Sequence, residues 1–290
     1  MDLTELFCNV DDFCNHITEN EEVTLLNSSA KKRNRSPRMS YSEIITILIH
    51  FHQKHYRNFK AYYLDRVATL YKNAFPTLLS YSRFIQLIPR VIFLLFGFLM
   101  TRKRSTSGIY FVDSTVLRVC HIKREKSNRV FHGIAEKSKS TMGWFYGFKL
   151  HLVVNDAGEI ISFDLTKGNV DDRVPVPFLT KGLVGLLFGD KGYIKQELFN
   201  KLYERGLKFI TYIRNNMKNQ LIDIEEKRLL RKRSIIETIN DQLKNISQVE
   251  HSRHRSLSGF ISNLLGGLTS YSLQEKKPTI YNKYSTAIYI

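Results

Sequence analysis

Along this 290-residue chain the spacing of apolar positions changes near residue 105. Before that point helical spacing dominates. In "SYSEIITILIHFHQKH", Ser40 or Ser42 offers an N-cap, and Ile44, Ile45, Leu48 and Phe51 fall on one helical face. "SYSRFIQLIPRVIFLLFGFL" also begins with a serine ahead of an apolar stretch. A bundle of three to five helices is expected over 1–104. A basic, proline-containing linker at 30–38, "AKKRNRSPR", would separate a first short helix from the rest. A helix-turn-helix fits this pattern, but the pattern does not require one.

From about Gly108 the period becomes two. "GIYFVDSTVLRVC" is rich in β-branched and aromatic residues. In "WFYGFKLHLVVN", Phe148, Leu150, Leu152 and Val154 face one way, and Gly147, Lys149, His151 and Val153 the other. "NDAG" at 155–158 predicts a hairpin turn into a third strand, "EIISFDLTKG". After the polar loop "GNVDDR" come a helix from about Val176, a strand "LVGLLFGD", and a helix "KQELFNKLYERG" closed by Gly206. A fifth strand, "LKFITYI", then leads to the helix "RSIIETINDQLK". Parallel strands need crossover helices, and the spacing supplies them. The expected fold is therefore α/β, a mixed five-stranded sheet flanked by helices over 105–272, with a tail at 273–290.

Composition narrows the partners. Hydrophobic residues make up 43% of the chain, enough for a globular core, and there are 44 Lys and Arg against 27 acids, a net charge of +17. An excess of that size, arranged in clusters, points to a polyanion such as nucleic acid or an acidic membrane surface. The longest apolar run, Val91–Met100, is about half a membrane span. It reads better as a buried helix. The acidic start, "MDLTELFCNVDDFC", is unlike a signal peptide. Three cysteines with no C-x-x-C pair argue for a reducing cytoplasm.

Three carboxylates stand out. Asp113 interrupts a run of strand formers, and a mid-strand carboxylate is costly to bury unless it is paired or binds metal. Asp190 ends an apolar strand, where ligands of open α/β sheets gather. Glu237 shares a helical stripe with Arg233, Asn240 and Lys244, beside the apolar stripe of Ile236, Ile239, Leu243 and Ile246. Taken singly, each acid has an ordinary explanation as a turn cap or a surface ion pair. For Glu237 that pair is Arg233, at i, i+4. Taken together, two Asp on strands and a Glu on a packed helix make a hard oxygen set suited to Mg²⁺ or Mn²⁺. Two such ions about 4 Å apart activate a water or 3′-OH at a phosphodiester. His50, His52 and His55 in "HFHQKH" fit no common zinc spacing, and Trp144 is expected in the core, with base stacking the alternative.

These motifs resemble a bacterial insertion-sequence DDE transposase, most like the insertion sequence 982 family, from Tyr41 to about Leu268. "FVDST" resembles the strand of the first acid, "FGDKGY" that of the second, and Arg-x3-Glu-x6-Lys the signature around the last, on Arg233, Glu237 and Lys244. "WFYGFKLHLV" and "LTKGNVDD" resemble two further family segments. The signature has a Tyr three residues before its Arg, and here that position is Leu230.

The resemblance implies a ribonuclease-H-like catalytic domain behind a helical, DNA-end-binding domain. It makes Asp113, Asp190 and Glu237 both catalytic and metal-binding, with two Mg²⁺ or Mn²⁺ ions. DNA contacts would come from Arg233, Lys244, Lys149 and His151, from Lys31, Lys32, Arg33 and Arg35, and from Lys227, Arg228 and Arg231. Asn169, Asp172, Lys191 and Tyr193 would support the site. The implied partners are terminal-repeat and target DNA and a second copy of the chain, with no membrane, in the nucleoid-associated cytoplasm. A silent DNA-binding derivative, or a nuclease that cuts without joining, remains the alternative.

Overall fold

The computed structural model of the chain describes residues 1–19, 38–102, 106–212, 223–250 and 253–281. In chain order, four helices come first: α1 (Leu3–Glu19), α2 (Tyr41–Gln53), α3 (Phe59–Tyr62) and α4 (Tyr81–Met100). Then follow β1 (Ile109–Cys120), β2 (Glu136–Ser140), β3 (Gly143–Asn155), β4 (Ile160–Lys167), α5 (Val176–Leu179), β5 (Gly185–Gly189), α6 (Gln196–Tyr203) and β6 (Leu207–Thr211). The last three are α7 (Ile224–Arg231), α8 (Ser234–Asp241) and α9 (Leu257–Ser272). Contacts divide the chain into two units, Met1–Arg102 with Leu243–Gln274, and Lys103–Gln242 with Glu275–Ile290.

The first unit is helical. Ser40 starts α2 with a full capping box: its hydroxyl accepts from the Glu43 N–H at 3.1 Å, and its own N–H donates to the Glu43 carboxylate at 2.6 Å. The helix then buries Ile44, Ile45, Leu48 and Phe51, as the spacing predicts. α9 packs on α2 and α4. A sequence boundary drawn at 105–272 grouped α9 with the strands; its contacts instead join the early helices. Two glycines permit that approach, since a Cβ at Gly266 would sit 3.0 Å from the His52 ring and one at Gly267 2.4 Å from Val249. α4 is by length and composition able to cross a membrane. It buries Phe84, Leu87, Val91, Leu95 and Phe98 and leaves exposed Arg83 and Arg90 in its first half and Phe93 and Phe96 in its second.

His50 and His52 are core side chains. The Nδ1 of His50 lies 2.7 Å from the Tyr62 hydroxyl, and that of His52 lies 2.6 Å from the Ser247 carbonyl.

The second unit is a mixed sheet. β3 pairs antiparallel with β1 along one edge and with β4 and β2 along the other, and β1, β5 and β6 run parallel. The central order is β4-β3-β1-β5-β6. Five strands follow the predicted pattern; the sixth, β2, was not predicted. Its sequence, "EKSKS", has no apolar alternation, and it is held only along β3. The predicted "NDAG" turn forms, with the Gly158 N–H donating to Asn155 O and Gly158 at φ 75°. One sheet face carries Val112, Val153 and Leu187 in a core shared with α5, α6 and Tyr193. On the other, α8 packs against β1 through buried Ile235, Ile236 and Ile239. Each of those side chains contributes roughly 1.5–3 kcal/mol of burial. α7 lies on β5 and β6.

Burial holds His50, His52 and His254 neutral, each down to about 4. All three belong to the helical unit. A folded value below the unfolded one means the stabilisation is complete above about 6.5 and drains away as pH falls from there to about 4. Urea unfolding at pH 7 and pH 5 is therefore expected to show a helical unit weaker at pH 5 by on the order of 1–2 kcal/mol per histidine. Equal stability at the two pH values would rule out neutral buried imidazoles.

Candidate active site

The sheet register explains how two of the acids come together. β1 and β5 pair in parallel as Ile109↔Leu186, Tyr110↔Leu187 and Phe111↔Phe188. Two residues beyond the last pair stand Asp113 and Asp190. Side chains two apart share a face. The two carboxylates therefore start from the same level and the same face of adjacent strands, about 5 Å apart by strand spacing. Asp190 is exposed where β5 ends and a short 3₁₀ turn, Lys191–Tyr193, begins. Asp113 is inside a strand that continues to Cys120, so it is partly buried.

Asp113 is the electrostatic centre. Burial lifts its carboxyl to about 6. The Ser114 backbone N–H and the Arg233 guanidinium oppose that shift, while Glu237 and Asp172 add to it. Asn240 of α8 donates its Nδ2 to Asp113 Oδ2 at 3.3 Å. That contact is absent from the sequence expectation. The one hint of it was that Asn240 shares the stripe of Glu237.

Glu237 stands where α8 meets β1, but it is not open. Arg233 Nη2 holds its Oε1 at 2.6 Å in the i, i+4 pair. The single predicted helix is also broken: α7 ends at Arg231, α8 starts at Ser234, and a π-helical turn, Gln242–Ile246, follows. A π turn does not keep the 100° spacing on which Lys244 was placed with Glu237. Lys244 pairs with Glu250 at 3.1 Å, both within the helical unit.

The expected DNA contacts at Lys149 and His151 are corrected. Lys149 is 2.9 Å from Asp172 and donates to the Val170 carbonyl at 2.9 Å. His151 has no exposed surface, and its Nε2 lies 2.8 Å from Thr166 Oγ1. Burial lowers its basicity. Pairing shows why: Lys149 and His151 share the face of Val116 and Ser114, opposite Asp113. Tyr193 is buried on that side; burial and then the charges of Asp113, Asp172 and Asp190 raise its phenol strongly. Asn169 and Lys191 are exposed. Asp171, unremarked in the sequence, is locked by Arg173, which draws its carboxyl down to about 2. Leu230 is buried, so an apolar side chain fits where the family signature has Tyr.

Lys227, Arg228 and Arg231 are exposed on α7. Lys31, Lys32, Arg33 and Arg35 lie outside the described residues. Trp144, expected in the core, is 58% exposed.

Among the described residues, no three His, Cys, Asp or Glu side chains stand ready to hold a metal ion. Asp113 and Asp190 suit a hard divalent cation in donor type and placement, and the raised Asp113 carboxyl marks a charge short of compensation. Glu237 offers them its second oxygen, Oε2, while Oε1 is held by Arg233.

Two acids level with each other on adjacent parallel strands, one mid-strand and one at a strand end, on a strongly basic α/β chain, suit work on phosphodiesters. A family model described as a transposase DDE domain matches residues 103–257, just over half of the chain, and the chain belongs to that family. Its function is accordingly that of a transposase, and such enzymes generally use divalent metals. A comparison with curated proteins found no match.

With metal chelated, Asp113 should cost stability. Its folded value exceeds the unfolded one, so the penalty is absent below about 3.8 and complete above about 6. Asp113→Asn is expected to raise the unfolding free energy at pH 8 by on the order of 2 kcal/mol and to change it little at pH 4. A variant less stable than wild type at pH 8 would contradict this picture.

Proposed function

We propose that this chain is an insertion-sequence transposase, nearest in its motifs to the insertion sequence 982 family. It would cleave DNA at element ends and transfer the freed 3′-OH into target DNA. Its sheet would be a ribonuclease-H-like catalytic core, and the helices of 1–104 would recognise the ends. Asp113, Asp190 and Glu237 would hold two Mg²⁺ or Mn²⁺ ions, which when bound activate the attacking oxygen and stabilise the leaving one. The reading includes a homodimer that brings two ends together, in the nucleoid-associated cytoplasm.

The observation that carries it is the equivalence of Asp113 and Asp190 on neighbouring parallel strands, with α8 and Glu237 against the first. The protein's own side chains set the site's readiness. Asn240 and the Ser114 N–H orient the Asp113 carboxylate. Arg233 holds Glu237 and, as a planar fork, can exchange that carboxylate for a DNA phosphate. Exposed Lys227, Arg228 and Arg231 would bind the backbone without reading sequence. The Arg233–Glu237 pair also favours a second reading, a DNA-binding protein that does not cut, because it keeps the third acid occupied.

Cleavage of terminal-repeat DNA with Mg²⁺ or Mn²⁺ separates the two. Wild type is expected to nick, and Asp113→Asn, Asp190→Asn and Glu237→Gln should each lose at least about 10³-fold in rate, the scale of several kcal/mol of metal stabilisation. Full activity in Asp113→Asn sinks the catalytic assignment; full activity in Glu237→Gln alone removes only the third acid. Binding without nicking in wild type supports the silent reading.

A further inference from the structure

The segment between β1 and β3, together with the edge strand β2, has no part in the chemistry above. From Ile122 to Gly143 it carries six Lys and Arg against two Glu. Its outer end is the β2–β3 hairpin, where Lys139 lies directly opposite Trp144, and Lys137 opposite Tyr146. Opposed residues in an antiparallel pair share a face, so Lys137, Lys139 and Trp144 project together. Both lysines are exposed. The Lys137 amine is 5.2 Å from the centre of the indole ring, and only a loose 3.7 Å contact ties it to Glu125. Trp144 keeps 58% of its surface exposed, and Met142 at the turn 84%.

An exposed indole is an apolar, flat surface in water. In the core it would be buried; against a protein partner it would usually lie within a wider apolar patch. Here its strand neighbours are ammonium groups. A flat π surface flanked by cations fits one class of ligand: an unpaired base, stacked on the ring, with its phosphates on the lysines. A fully paired duplex hides its base faces and would gain only the charge contacts.

We propose that the β2–β3 hairpin is a single-strand DNA contact, with Trp144 as the stacking platform and Lys137 and Lys139 as phosphate contacts. Asp113 pairs with Leu152, eight residues along β3 from Trp144, which places the hairpin about 27 Å from the level of the acids. That is about eight base pairs of duplex DNA. The contact therefore acts on DNA away from the cleaved phosphate, on a melted end or flanking strand. The inference shares the DNA partner of the proposed function but not its metal chemistry.

Trp144 is the chain's single tryptophan, so its emission reports on this site alone. Full-length protein would be titrated with a short oligothymidine and with a blunt duplex of equal length, without divalent metal. The single strand is expected to quench the emission saturably and the duplex much less. By anisotropy of labelled oligothymidine, Trp144→Ala should weaken binding at least about 5-fold, the low end of what one stacked base contributes. Trp144→Phe should restore most of it, which a merely structural role would not require. Lys137→Gln with Lys139→Gln should flatten the salt dependence. No quenching, or equal quenching by single strand and duplex, overturns the proposal. Asp113→Asn should keep the quenching while losing cleavage, so the two readings fail separately.

Discussion

The rest of this sheet depends on keeping a carboxylate, Asp113, inside its central strand. β1 is flanked by β3 and β5 and cannot fray there to hydrate the charge. The protein offers only partial compensation: one backbone N–H, the Asn240 amide, and the field of Arg233. Two other acids, Glu237 and Asp172, push the opposite way. A chain selected for stability alone would place a valine at this position, as the neighbouring Val112 illustrates. A carboxylate only partly compensated in a core strand costs stability, as its raised value shows. Asp190 differs in kind. It lies at a strand end in water, where its charge costs little, and its value comes only from standing level with Asp113.

Glu237 shows how two accounts of one residue can both hold. Its ion pair with Arg233 is the ordinary i, i+4 surface pair, worth a few tenths of a kcal/mol on an exposed helix. That is small beside the several kcal/mol available from a divalent cation or a phosphate near the acids. A pair of that strength is weak enough for a stronger partner to displace. Asp172 resembles it, since Lys149 occupies it on the opposite face.

The strands of the core were legible because one or both of their faces are apolar. Val112, Leu152 and Phe188 leave a period that survives in the bare sequence. β2 was not, because a polar edge strand is specified by its partner rather than by its own residues. Trp144 misled for a related reason: aromatic residues in strands are usually core, but this one pairs with the lysines of β2, so the missing strand hid the exposed face. His151 and Lys149 were correctly placed on one face, yet which face was solvated depends on α5, α6 and Tyr193 folding over it, a tertiary fact. Among the acids, order and motif single out Asp113 and Asp190, and the register puts them level on neighbouring strands. Asn240 was invisible because an amide on a helix stripe has no meaning until the strand opposite is known.

The distribution of charge carries one more step. Arg233, whose charge acts on Asp113, and Lys149 on the opposite face already have acidic partners. Those on α7 and on the β2–β3 hairpin face water, with weak partners where they have any, such as Arg228 with Glu225 at 3.9 Å and Lys137 with Glu125 at 3.7 Å. An approaching polyanion therefore meets exposed charge first, where binding releases counterions and needs no rearrangement. To pair with Arg233 or Lys149 it competes with the carboxylate already there.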